Sequence, residues 1–169
     1  MAEMFRYRYD DSEVRHLAAA YPGIFMEETE RVLLLITARL EADVVQGTPR
    51  GVGGAAGLAG SIFGEVQHSG VSVRGIVGTP VAYGDVVELG RRPGSFPPVA
   101  PIALWAERKL GVSATEAESA AFLIARKIFH RGTEGAYMFR NAWRARQQWV
   151  DQMLRSIPGR IMSRIGGGQ

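Results

Sequence analysis

The stretch from Thr79 to Gly111, TPVAYGDVVELGRRPGSFPPVAPIALWAERKLG, constrains this chain more than any other. Its first part places Val81, Tyr83, Val87 and Leu89 at near-alternating positions and predicts a strand over 81–89, with a helical turn near 85–89 as the alternative. A Gly/Pro-rich corner then stops either period. Pro101 suits the first position of a helix whose inward face is Ile102, Trp105, Ala106 and Leu110, and Gly111 closes it. The stretch has no His, and its acids before Glu107 are Asp85 and Glu88 alone. That is poor material for acid–base chemistry and good material for a fixed bend that another protein can read.

The rest of the chain divides at similar punctuation. Asp10 and Glu13 have capping-box spacing before VRHLAAAY, so a short helix is expected ahead of Pro22-Gly23. From about 25 to 45, Val32, Leu33, Ile36, Leu40 and Val44 fall on one face of a longer amphipathic helix. Residues 51–60, GVGGAAGLAG, hold five glycines in ten positions and read as the heart of a flexible loop over 46–60. Segments 61–67 and 71–78 read as two further strands joined by His68-Ser69-Gly70, and turns this short make neighbouring strands antiparallel.

Ser113 and Glu116 form a second capping box, opening a helix to about His130 that buries Ala117, Ala121, Ile124 and Ile128 and ends at Gly132. A last helix over 139–157 has Phe139, Trp143, Val150, Met153, Leu154 and Ile157 on one side and arginines on the other. Pro158-Gly159 is expected to stop it, leaving a basic tail at 158–169. The expectation is one α+β domain over 1–169, with an N-terminal extension or short helix at 1–23. It comprises a small antiparallel sheet of three to four strands packed by amphipathic helices, with a long Gly-rich loop.

Composition narrows the function. The chain has no cysteine, which excludes a disulfide framework and thiolate catalysis and suits a reducing compartment. No apolar run approaches the roughly 20 residues needed to span a bilayer, and MAEMFRYRYDDSE has no signal-peptide core, so a soluble chain with no membrane partner is expected. The net charge is only +3. Its distribution is uneven: Arg140, Arg144, Arg146, Arg155, Arg160 and Arg164 face a single later acid, Asp151, whereas Glu3, Asp10, Asp11, Glu13, Glu27, Glu28 and Glu30 crowd the first thirty residues. Copies with an acidic and a basic end can dock head to tail.

The chemical motifs are weak. Gly51 to Ala56 fits a loose dinucleotide pattern, but a helix precedes it and a strand follows, the reverse of what that motif needs. His16, His68 and His130 lie far apart without ligand spacing, so no metal or other cofactor is expected. No G-x-S-x-G elbow stands out, and the chain is read as non-enzymatic. Trp105, Trp143 and Trp149 sit at helical spacing and read as core, while the arginines support loose contact with a nucleic-acid backbone, without base readout.

Several fragments, in order, resemble a known family. These are Thr48-Pro49, the glycine-rich loop leading to LAGSI (58–62), TPVAYGDVVELGRRPG, PPVAPIALWAERKLG and AFLIARKIFHRGTEGAYMFRNAW. The set, over about 25–145, resembles the tail-completion or head–tail joining proteins of long-tailed bacteriophages. Tyr83, Val87, Glu88, Leu89 and Gly90 match the central motif; Ala125, Arg126, Ile128, Phe139 and Arg140 match the later ones. Leu89 replaces a commoner Phe, and Met138 stands where a proline or another aromatic is usual.

The resemblance implies a structural virion protein, assembled in the host cytoplasm, that forms a homo-oligomeric ring, usually sixfold, at the neck. There it would adjoin connector or stopper proteins and tail-tube or terminator proteins, with DNA passing through its lumen. A tail terminator or a minor head or tail protein of the same particle is the near alternative, and a basic nucleic-acid-binding module the distant one. Candidate interface residues are Gly51, Gly53, Gly54 and Leu58 in the loop; Tyr83, Glu88, Arg91 and Arg92 at the corner; and Arg140, Arg144 and Arg146 on the last helix. Glu88 and Arg91/Arg92 can form salt bridges between copies, with pairing inside the chain or plain solvation as the equal alternative.

Overall fold

Several glycines and prolines of this chain sit at the ends of periodic segments, where they start and stop helices. The computed structural model describes residues 12–51, 57–70 and 72–166, and among these it has eight helices and four short strands. In order they are α1 (Ser12–Ala20), α2 (Pro22–Gly47), α3 (Leu58–Ser61), β1 (Phe63–Ser69), β2 (Ser72–Gly78), α4 (Gly84–Leu89), β3 (Gly90–Arg91), α5 (Val99–Leu110), α6 (Ala114–Arg131), β4 (Thr133–Glu134), α7 (Met138–Arg155) and α8 (Ile157–Gly166). The fold is α+β. Two compact units interleave in sequence: a hairpin unit from residues up to 46, 62–79 and 139 onward, and a corner unit from 47–61 and 80–138.

In the hairpin unit, Pro22 opens a helix where the sequence suggested only a break. Proline costs nothing at a first helical position because the missing N–H has no partner there. Val32 and Ile36 of α2 join Leu17 of α1, Val150 of α7 and Ile157 and Ile161 of α8 in one buried cluster, with Trp143, Met153 and Leu154 packed around it. The expected tail after Pro158 is instead helix α8. The N–H of Ser156 still bonds the carbonyls of Gln152 (3.1 Å) and Met153 (3.2 Å), and Arg160 N bonds Ser156 O at 3.1 Å. Pro158 thus falls in the first turn of a new helix, where it is tolerated, and burial of Ile157 and Ile161 one turn apart holds that helix down.

β1 and β2 pair antiparallel from Phe63↔Gly78 to Ser69↔Ser72. Their turn uses Gly70 at φ +57°, a left-handed conformation that favours glycine. The hairpin lies close on α2: a Cβ on Gly64 would stand 3.0 Å from the Thr37 carbonyl oxygen, and one on Gly75 2.8 Å from Thr37 Cγ2.

The corner unit departs further from expectation. Segment 81–89 takes the helical alternative, as helix α4, in place of a third strand, and the four strands form two separate pairs. Helical bonds close at once, Gly84 N to Val81 O (2.9 Å) and Val87 N to Tyr83 O (3.1 Å), and Asp85 in the first turn favours the positive end of the helix dipole. Burial agrees with the helical period, because Gly84 and Glu88, four apart, are the buried pair. Position 58–61, expected to lead into a strand, is likewise a helical turn, and Leu58 is buried.

α5 starts at Val99, so Pro101 lies inside its first turn; Gly111, at φ 67° and ψ 25°, ends it. Only Ala106 of α5 is fully buried, and Trp105 and Leu110, expected inside, are 38% and 55% exposed. α6 likewise buries Ala117, Ala121 and Ala125, while Ile124 and Ile128 are half-buried. The two helices pack against each other with alanines as their buried residues, and such small side chains let backbones approach closely while larger ones stand at the margins. The Ser113–Glu116 capping box forms as expected, with Ser113 N donating to Glu116 Oε2 at 2.9 Å and Glu116 N donating to Ser113 Oγ at 3.4 Å.

Candidate assembly interface

The bend singled out in the sequence is completed by a distant segment. Gly90–Arg91 pairs antiparallel with Thr133–Glu134, and Ala136 N and Tyr137 N donate to the carbonyls of Val87 (2.8 Å) and Glu88 (3.0 Å). Three glycines permit this approach. A Cβ on Gly90 would strike the Thr133 carbonyl, on Gly132 the Arg91 carbonyl, and on Gly135 the Glu88 carbonyl. Gly90 (φ 77°, ψ −172°) and Gly132 (φ 70°, ψ −165°) also adopt a backbone region that essentially only glycine enters. Beside them, the buried Thr48 hydroxyl donates to Met138 Sδ at 3.2 Å.

The candidate residues meet different fates. Tyr83 (51%) is exposed at the start of α4, and Arg92 and Gly51 are exposed. Arg91 is half-buried and donates to Ser95 Oγ at 2.8 Å. Glu88 and Leu58 are buried and are not on a surface that a second copy can reach, a correction to their reading as contact residues. Gly53 and Gly54 lie outside the described residues.

The arginines of the last helices are largely engaged within the hairpin unit. Arg146 Nε bonds Asp43 Oδ2 at 2.5 Å; Arg155 bonds Asp151 (2.8 Å), and Arg164 reaches Glu27 (2.5 Å) and the buried Glu28 (3.3 Å). The Arg146 hydrogen bond, with Arg39 and Arg146 charge adding, holds the Asp43 carboxyl below its ordinary pKa against an opposing contribution from burial. Asp43 and Glu27 raise Arg146 and Arg164 in turn. Arg140 is half-buried, leaving Arg144 as the exposed member of the predicted trio.

Two features were not anticipated from sequence. Gly132 and Gly135 were read as a helix stop and a loop, though two glycines three apart beside an aromatic turn are a signal of close backbone approach. The second is exposed apolar surface. Leu34, Leu35 and Val45 of α2 and Tyr83, Val86, Leu89, Phe96, Leu104, Trp105, Leu110, Phe122 and Leu123 of the corner unit are all at least 37% exposed. The run VLLLI at 32–36 carries that signal, since a helix with one buried face has no use for five large apolar residues in succession.

Among the described residues no three His, Cys, Asp or Glu side chains converge to hold a metal ion, and no helix is long and apolar enough to cross a membrane. No protein-family model, curated protein or solved structure matches the chain.

Proposed function

We propose that this chain is a structural subunit of a long-tailed bacteriophage particle, a ring-forming tail-completion or head–tail joining protein at the neck. One observation carries the reading. Three of the separate stretches whose order resembles that family meet in a single joint, where the α4–β3 segment pairs with 133–137 and Thr48 bonds Met138. A bend built from backbone contacts and glycines without side-chain freedom is a rigid element, which a ring needs if copies are to repeat one geometry. The exposed leucines and aromatics further support assembly, because large apolar surface on a soluble monomer is usually covered by a partner.

The rival reading, a basic nucleic-acid-binding module, draws less support. Arg146, Arg155 and Arg164, three of the six C-terminal arginines, are bonded to carboxylates, which offsets half of the positive charge that would meet phosphates. The proposal is tested by native mass spectrometry and by particle composition. The expected results are an oligomer at a multiple of 18.4 kDa and the polypeptide located at the neck of purified particles. A chain that stays monomeric and is absent from those particles overturns the proposal.

A further inference from the structure

Helix α2 is apolar on two opposite faces. Val32, Ile36 and Val44 are buried, whereas Leu34, Leu35, Ala38, Ala42 and Val45 are exposed. Their helical spacing lays the exposed set along one stripe, opposite the buried one. A surface helix ordinarily has one apolar face, and a helix with two is covered on both.

The corner unit has a matching shape. Between α5 and α6 runs a groove of about 550 Å³, lined by Val99, Ala103, Leu104 and Phe122 with the exposed Glu107 and Glu118 at its edge. The charges are complementary. Arg39, on the flank of the α2 stripe, shares the Asp43 carboxylate with Arg146, so two guanidiniums face one carboxylate there and a positive charge remains. Arg31, further toward the start of α2, is instead paired with Glu28 at 3.3 Å, so Arg39 carries the charge of the stripe.

We infer that the α2 stripe of one copy docks in the α5–α6 groove of a second copy, with Arg39 meeting Glu107 and Glu118. The occupant is another copy because the chain itself carries both halves of the contact with opposite charge. The mode is that of an amphipathic helix laid in an apolar groove. The two surfaces differ, so the contact is heterologous: each copy offers one half to each neighbour, and repetition closes a ring when the rotation permits. This inference rests on the assembly reading above and names the contact through which assembly occurs.

The native chain has no cysteine, which makes a cross-linking test clean. Leu35→Cys and Leu104→Cys proteins, purified separately and then mixed under mild oxidation, should give a disulfide-linked species containing one of each. An independent measurement uses charge. Arg39→Glu alone, or Glu107→Arg with Glu118→Arg, should weaken association about tenfold or more by light scattering while circular dichroism is unchanged. A one-to-one mixture of the two variants should restore the wild-type mass, because every stripe then meets a groove of opposite sign. A wild-type oligomer that forms no mixed disulfide and ignores the charge reversals overturns this contact and leaves the assembly reading standing. A Leu35→Cys/Leu104→Cys double variant that closes its disulfide within one chain likewise overturns this contact alone, whereas a wild-type chain that is monomeric at high concentration overturns both.

Discussion

The hairpin unit and the corner unit are held by different physics. The first has a side-chain core, Val32, Ile36, Val150, Ile157 and Ile161, whose stability comes from area removed from water and tolerates exchange among apolar side chains of similar volume. The second is built on alanine contacts between helices and on backbone meeting backbone at Gly90, Gly132 and Gly135, where no side-chain atom fits. It also holds nine of the fourteen large hydrophobic residues exposed among those described, so it leaves more apolar surface unsatisfied. A unit whose own core is thin and whose bend is rigid is well suited to gain stability from neighbours.

Gly132→Ala should break that comparison most severely. A Cβ would strike the Arg91 carbonyl in a glycine-only conformation, and the expected loss is about 4 kcal/mol or more by urea unfolding. Hydrogen exchange should show protection lost at Ala136 and Tyr137; equal loss at Val32 and Ile36 would mean that the two units do not differ as described. Ile161→Ala sharpens the other side, since removing a fully buried side chain should cost about 3 kcal/mol, with Ile161→Val costing about 1. Should the valine variant prove as damaging as the alanine one, volume tolerance in the hairpin unit is refuted.

Smaller effects separate local from long-range bonds. Ser113→Ala removes the side-chain cap of α6 and should cost about 1 kcal/mol, whereas Ser113→Asp should retain most of it. The Asp43–Arg146 pair should show itself mainly as pH dependence. Because the folded pKa of Asp43 lies below its unfolded value, its contribution is fully present at neutral pH and is lost as pH falls through the folded value, below about pH 4. Denaturant midpoints measured across pH 2–6 should therefore show a shallower acid slope in Asp43→Asn than in the parent; identical slopes would remove the pair from the account.

Much of the helical plan was legible because its signals are local. The capping box at Ser113 and Glu116, the stops at Gly111 and Gly132 and the apolar period of α2 all act within a turn or two of the residues that encode them. The hairpin at 63–78 was legible for the same reason, since a short turn between alternating segments leaves one pairing. Errors arose where the deciding contact was remote. Segment 81–89 alternates weakly enough to suit either period, and its partner, 133–137, lies more than forty positions away; Pro158 reads as a stop unless Ile157 and Ile161 are known to be buried. For the candidate interface, the sequence marked the bend but misjudged Glu88, whose burial is a property of the assembled corner.

By itself, then, the sequence determined the capping box at Ser113 and Glu116, the stops at Gly111 and Gly132, the β1–β2 hairpin and the exclusion of cysteine chemistry, since each depends on neighbours along the chain or on composition. Tertiary structure alone decided which segment completes the corner, that Arg146 would meet Asp43 from 103 positions away, and that one face of α2 would be left uncovered. Those outcomes turn on which surfaces meet in space, and burial and charge pairing between remote residues leave no periodic trace in the sequence.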